Sequence, residues 1–178
     1  MHSICGRRGL KKSSFLLLIT MENFIQLKEK IEQHLREYFA NTPLFIVEVK
    51  VLPTQKIEIF VDRMDTNISI DECVKISRNV EEYLETNGLV DEKYTLEVSS
   101  PGLDQPFKVP QQFEKSINKK VEVLKLDGIK LIGTLLAYDG EKITVNSEKK
   151  VKKEIIEEQT EINLQEIKTI KKHFIFKV

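Results

Sequence analysis

The hydrophobic period of the chain changes once, at the run Ser99-Ser100-Pro101-Gly102, and that change most constrains what it can fold into. Before this run, helix-period stripes alternate with strand-period segments. After it, every periodic segment alternates with period two. Met21–Ala40 carries Phe24, Leu27, Ile31, Leu35 and Phe39 at three- and four-residue steps, which predicts a helix ended by Asn41-Thr42-Pro43. Leu44–Leu52 alternates, with Phe45, Val47, Val49 and Val51 assigned to one inward face, and Lys56–Asp62 follows with Ile57, Ile59 and Val61 inward. Ser69 stands three residues before Glu72, a capping-box spacing. The helix it opens runs to Thr86 on the stripe Cys73, Ile76, Val80, Tyr83 and Leu84, and Asn87-Gly88 stops it. Lys93–Ser99 completes an α-β-β-α-β order with two helices over one face of a three-stranded sheet. The helix between the second and third strands favours a parallel pair.

Beyond Ser99, Ser100-Pro101-Gly102-Leu103 fits a type II turn with glycine at the position needing positive φ. Pro106 and Pro110 stiffen the next segment, and Gln111–Ile117 has the length of a short helical turn. Lys120–Leu126, Lys130–Tyr138 and Lys142–Asn146 are separated by Asp127-Gly128 and Asp139-Gly140, the strongest short hairpin signal. Gly133 marks a bend, and Lys152–Thr160 and Ile167–Phe176 supply two more strands around a single turn at Asn163–Glu166. The expected fold is α+β: an N-terminal α-β-β-α-β layer domain over 21–99, a proline-containing connector over 100–110, and a small all-β SH3-like or Sm-like barrel over 111–178. Domains this small are marginally stable alone, so some docking between them is expected.

Residues 1–20 stand apart. They hold four basic residues and no acid, and their apolar run, Phe15–Ile19, is shorter than a signal-peptide core. The segment reads as a disordered leader or an over-extended start, with translation beginning at Met21. Overall the chain of 178 residues is formally neutral, but the charge is uneven. Residues 21–98 hold 9 Lys/Arg against 16 Asp/Glu, and residues 99–178 hold 15 against 12. An acidic first half suits a basic protein partner, and a basic second half tolerates RNA.

No constellation for catalysis is present. His2, His34 and His173 have no metal-ligand spacing, and Cys5 and Cys73 form no knuckle or disulfide framework. His34 is a boundary residue beside the first apolar stripe, and Cys73 is assigned to the core. Ser99 and Ser100 lack a nucleophile elbow and a base. No phosphate-binding glycine motif occurs, and no apolar run nears the ~18 residues of a membrane helix. Two features remain. One is the corner Glu97–Pro106, a tight connection or a binding loop, from which Ser99, Ser100, Pro101, Gly102 and Asp104 are candidate binding residues. The other is the lysine set Lys149, Lys150, Lys152 and Lys153, with Lys171 and Lys172, either protecting a strand edge or facing RNA.

Val61-Asp62-Arg63, Ile70-Asp71-Glu72-Cys73, Ser77-Arg78 and above all Leu96-Glu97-Val98-Ser99-Ser100-Pro101-Gly102-Leu103-Asp104 closely resemble the ribosome maturation factor RimP family. The resemblance covers about residues 21–178, by pattern more than by words in the second half. One departure is Gln105, where the family usually has arginine, which puts an RNA contact there in doubt. The resemblance implies a cytoplasmic, non-enzymatic assembly factor for the small (30S) ribosomal subunit that needs no cofactor, metal, membrane or small-molecule substrate. Its partners would be the immature subunit's rRNA and a basic ribosomal protein, the twelfth of the small subunit, bound by a monomer. The alternative is a free-standing Sm-like RNA-binding regulator acting on messages. A small hydrolase is disfavoured by the missing base and metal site.

Overall fold

The computed structural model describes residues 12–90, 93–151 and 154–174. Helix α1 (Lys12–Tyr38) begins before Met21, because residues 13–20 contain no glycine or proline to stop a helix propagating backwards. Residues 1–11 of the expected leader lie outside the described residues. Asn41, at φ 65°, turns the chain out of the helix, and the Thr42 hydroxyl donates to the Phe39 carbonyl at 2.8 Å. Strands β1 (Leu44–Leu52) and β2 (Lys56–Arg63) pair antiparallel. Helix α2 (Ile70–Thr86) then crosses over to β3 (Thr95–Ser99), which pairs parallel with β2, giving the order β1-β2-β3.

Local sequence signals fix both ends of α2. The Ser69 hydroxyl accepts from the Glu72 N–H at 3.2 Å and the Glu72 carboxylate accepts from the Ser69 N–H at 2.9 Å, a reciprocal capping box. At the other end Gly88 has φ 57°, the Leu89 N–H donates to the Leu84 carbonyl and the Gly88 N–H to that of Glu85, a Schellman stop. Arg63, at the end of β2, holds Asp65 at 2.9 Å and also bonds Glu72, so strand end, loop and helix start are tied together. The Arg63 guanidinium holds the Asp65 carboxyl down to about 2.

The helix-facing core is Ile31, Leu35 and Phe39 of α1, Ile76, Val80 and Leu84 of α2, and Val49, Ile57, Ile59 and Val61 of the sheet. His34 bonds Asn79 at 2.8 Å and stacks on Tyr83 with ring centroids 4.0 Å apart, clamping α1 to α2 as a boundary residue. Cys73 is only half-buried, at the edge of the stripe rather than in the core, and burial pushes its thiol up. Strand β1 also departs from simple alternation. A bulge between Ile46 and Glu48 shifts its register, so Leu44 and Ile46 join Val49 and Val51 against the helix-facing core. Phe45 instead pairs with Asp62 across the strands, on the opposite face, so Phe45, Val47, Val49 and Val51 do not share one face.

The second half opens with the short helix α3 (Pro110–Glu114) and continues through β4 (Lys120–Lys125), β5 (Lys130–Tyr138), β6 (Lys142–Val151), β7 (Glu154–Asn163), a 3-10 turn at Leu164–Glu166 and β8 (Ile167–Lys172). The five strands are antiparallel in the order β7-β6-β5-β4-β8. Gly128 and Gly140, at φ 87° and 98°, supply the left-handed residue of the two Asp-Gly turns. Strand β6 runs past Asn146, where alternation alone would end it. The core gathers Val121, Val123, Leu135, Ile143, Val145, Ile162 and Ile170 under Phe113. Phe113 stacks on Tyr138 at 4.7 Å and meets Phe107 edge-on at 5.2 Å.

Candidate RNA-facing corner between the two domains

The helix-free face of the first sheet carries Lys50, Lys56, Glu58 and Glu97 in half-exposed ion pairs, and at its other end Phe45 and Asp62 are buried. The second half docks there. Lys115, just past α3, points its ammonium at the Asp62 carboxylate at 2.7 Å and at the Thr66 carbonyl at 2.8 Å. The two side chains are only 3% and 8% exposed. This is the one deeply buried ion pair among the described residues, and it bridges the halves. Lys108 of the connector adds a half-exposed bond to Glu48. The connector is pinned at both ends of this contact. The Phe107 N–H donates to the Ile170 carbonyl at 2.8 Å, and the buried Gln112 side-chain oxygen accepts from the Lys108 N–H at 2.7 Å.

The corner itself departs from the expected turn. Gly102 is absent from the positive-φ residues, and the turn is closed two residues later, from the Gln105 N–H to the Gly102 carbonyl at 3.0 Å. Ser100 precedes proline and is therefore biased to extended backbone, which carries the chain on through Gly102 before it turns at Leu103-Asp104. A Cβ added at Gly102 would meet only the Gln105 Cγ at 3.5 Å, ordinary contact. Gly102→Ala is therefore expected to cost less than about 0.5 kcal/mol in a thermal melt. A loss of several kcal/mol would return Gly102 to a conformation only glycine adopts.

Ser99, Ser100, Gly102 and Asp104 are exposed and Pro101 is half-buried. Ser100, Pro101 and Gly102 line a cavity of about 220 Å³ together with Asp62 and Lys172. The alternation of β8 explains why its two lysines differ. Ile170 points into the core, so Lys172 follows it towards the first domain and Lys171 points away. Lys171 lies 3.8 Å from Asp104 and 3.9 Å from Glu122, so its charge is compensated. Lys172 has no carboxylate partner among the described residues. Burial holds its ammonium below the usual lysine range, the Lys115 charge adds to this, and Asp62 opposes it.

The remaining candidates sit elsewhere. Lys149 and Lys150 are on β6, opposite Ile156 and Ile155 of β7, and Lys152 and Lys153 lie outside the described residues. Pairing of β6 with β5 stops at Ser147, whereas pairing with β7 runs on to Val151. Lys149 and Lys150 thus ride a two-stranded arm in which β6 pairs with β7 alone. Strands β5 and β4 separate β6 from β8, so the arm and the corner are two surfaces and not one. Sequence reasoning missed Lys115 and the role of Asp62, because no periodicity signals a pair 53 residues apart. No group of three or more metal-ligating side chains is gathered among the described residues, and no described helix is long and apolar enough to cross a membrane. Compared with known families, residues 19–104 match the model of the RimP N-terminal domain, a span that ends within the corner.

Proposed function

The chain belongs to the ribosome maturation factor RimP family, and from that premise we propose that it binds the immature small ribosomal subunit through rRNA and a basic ribosomal protein. Members of this family are assembly factors rather than enzymes, and a role in ribosome biogenesis and small-subunit maturation follows from membership. The match over residues 19–104 is the observation that carries the reading. Such work places the protein in the cytoplasm, as a monomer on free subunits.

The charge pattern supports a division of labour. Helix α2 exposes Asp71, Glu81, Glu82 and Glu85 alongside Lys75 and Arg78, a net-acidic face suited to a basic protein such as the twelfth protein of the small subunit. Lys149 and Lys150 on β6, with Lys152 and Lys153 following them in the sequence, offer ammonium groups to RNA phosphates. The corner offers hydroxyls and backbone to structured RNA, which proteins recognise largely by shape and 2′-OH contacts. Preferential affinity for one conformation of the immature subunit would then shift its population, which is all an assembly factor of this kind requires.

Binding to purified small subunits across a salt series tests the arm. Each phosphate contact contributes a slope of about −0.7 to −0.9 in log K against log salt. Neutral glutamine at all four lysines is expected to shallow the slope by roughly 1.5 to 3 units, the lower figure applying if alternating side chains leave only two in contact. An unchanged slope, with more aggregation, would assign these lysines to protecting the strand edge.

A further inference from the structure

The cavity at the domain corner holds a charge imbalance that the fold leaves unresolved. Asp62 is its one anion, and that carboxylate is already engaged: its Oδ1 accepts from the Lys115 ammonium at 2.7 Å and from the Arg63 N–H at 2.9 Å. Lys172 is the one ammonium lining the cavity, and the Lys115 ammonium, already bonded to Asp62, lies close enough to repel it. Lys172 is half-buried, lines the cavity and finds no carboxylate among the described residues, although Lys171 beside it has two. A desolvated, unpaired cation is costly, so an arrangement that keeps one implies an anion that arrives from outside. The other lining groups suit an oxyanion. Asn67 and Gln105 bring amide N–H donors, and Ser100 brings a hydroxyl. At about 220 Å³ the space takes a tetrahedral phosphate, itself the size of two or three waters of ~30 Å³, with part of its hydration shell.

We propose that this cavity is a binding site for a single phosphate group, with the Lys172 ammonium as its charged anchor and Ser100, Asn67 and Gln105 as hydrogen-bond donors. Occupancy would also tie the two domains together, because Asn67 belongs to the first and Lys172 to the second. The site does not depend on the proposed function for its existence; only the identity of the phosphate, as a unit of the RNA backbone, rests on that reading.

The test is a titration of the full chain, followed by amide chemical shifts at Asn67, Ser100 and Gly102, at constant ionic strength made up with chloride. Two probes separate the sources: inorganic phosphate, and the diester UpU. Saturable shifts are expected at all three amides, weakened roughly tenfold or more in Lys172→Met and largely recovered in Lys172→Arg. Lys172→Met also removes a desolvated charge, so it is expected to melt no lower than the parent without phosphate. Saturation by UpU identifies a backbone phosphate, and saturation by inorganic phosphate alone identifies a free or terminal one; either supports the site. Non-saturating drift with both probes, or equal affinity in Lys172→Met, would overturn it. Small-subunit binding plays no part in these readouts, so failure here is distinguishable from failure of the proposed function.

Discussion

Lys115→Met is expected to destabilise the chain by about 3–5 kcal/mol in a urea titration, the largest loss anticipated for any single residue. The substitution leaves the buried Asp62 carboxylate facing the second domain without its counter-charge. Lys172 lies near enough to offer partial compensation, which pulls the expectation towards the lower figure. The cost comes from the stranded charge rather than from any large net worth of the pair. Pairing Lys115→Met with Asp62→Leu should therefore recover most of the loss, since well-packed apolar replacements of buried ion pairs are often neutral. A double mutant as unstable as the single would show that the loss arises from packing at Lys115 and not from an uncompensated carboxylate.

Gly133→Val is the second large effect, about 3 kcal/mol and carried by the second half. A Cβ built there would lie 2.3 Å from the Asn146 carbonyl oxygen and 2.7 Å from the Val145 Cγ1. The first of these atoms is backbone, paired in the β5–β6 ladder next to Gly133↔Ser147, so it cannot swing aside as a side-chain tip would. Strand separation or loss of that pairing is the only relief. Gly133→Ala should already be felt, in contrast to Gly102→Ala, and thermal melts of the two variants side by side check the contrast.

These two residues also show what a sequence can and cannot disclose. Gly133 was legible as special, because glycine weakens an alternating run and marks a bend or a close backbone approach within it. The close approach of β6, not a bend alone, is the reason for it. The caps of α2 and the Asp-Gly turns were legible for the same cause: each is a device whose donors and acceptors lie within six residues of one another. The parallel β2–β3 pair followed from the crossover through α2. The face of Phe45 was not legible, since a bulge at Ile46/Glu48 shifts the register by one residue without a composition signal. The turn at the corner slipped by two residues because Ser100–Asp104 is turn-compatible throughout. Tertiary bonds, such as Phe107 to Ile170, select among the alternatives. Lys115 was invisible for a stronger reason. A lysine after a short helix looks like every exposed lysine until Asp62 is placed beside it. Of the candidate site, Ser100, Gly102 and Lys172 proved to be neighbours, while Lys149 and Lys150 belong to a separate arm.

The central claim is that this member of the RimP family acts on the immature small subunit, and fractionation of a native lysate on a sucrose gradient tests it most directly. The protein is expected to migrate with free small subunits and to be missing from the translating-ribosome fractions. Migration only in small complexes, with none on free subunits, would contradict the account and favour a free-standing RNA-binding regulator.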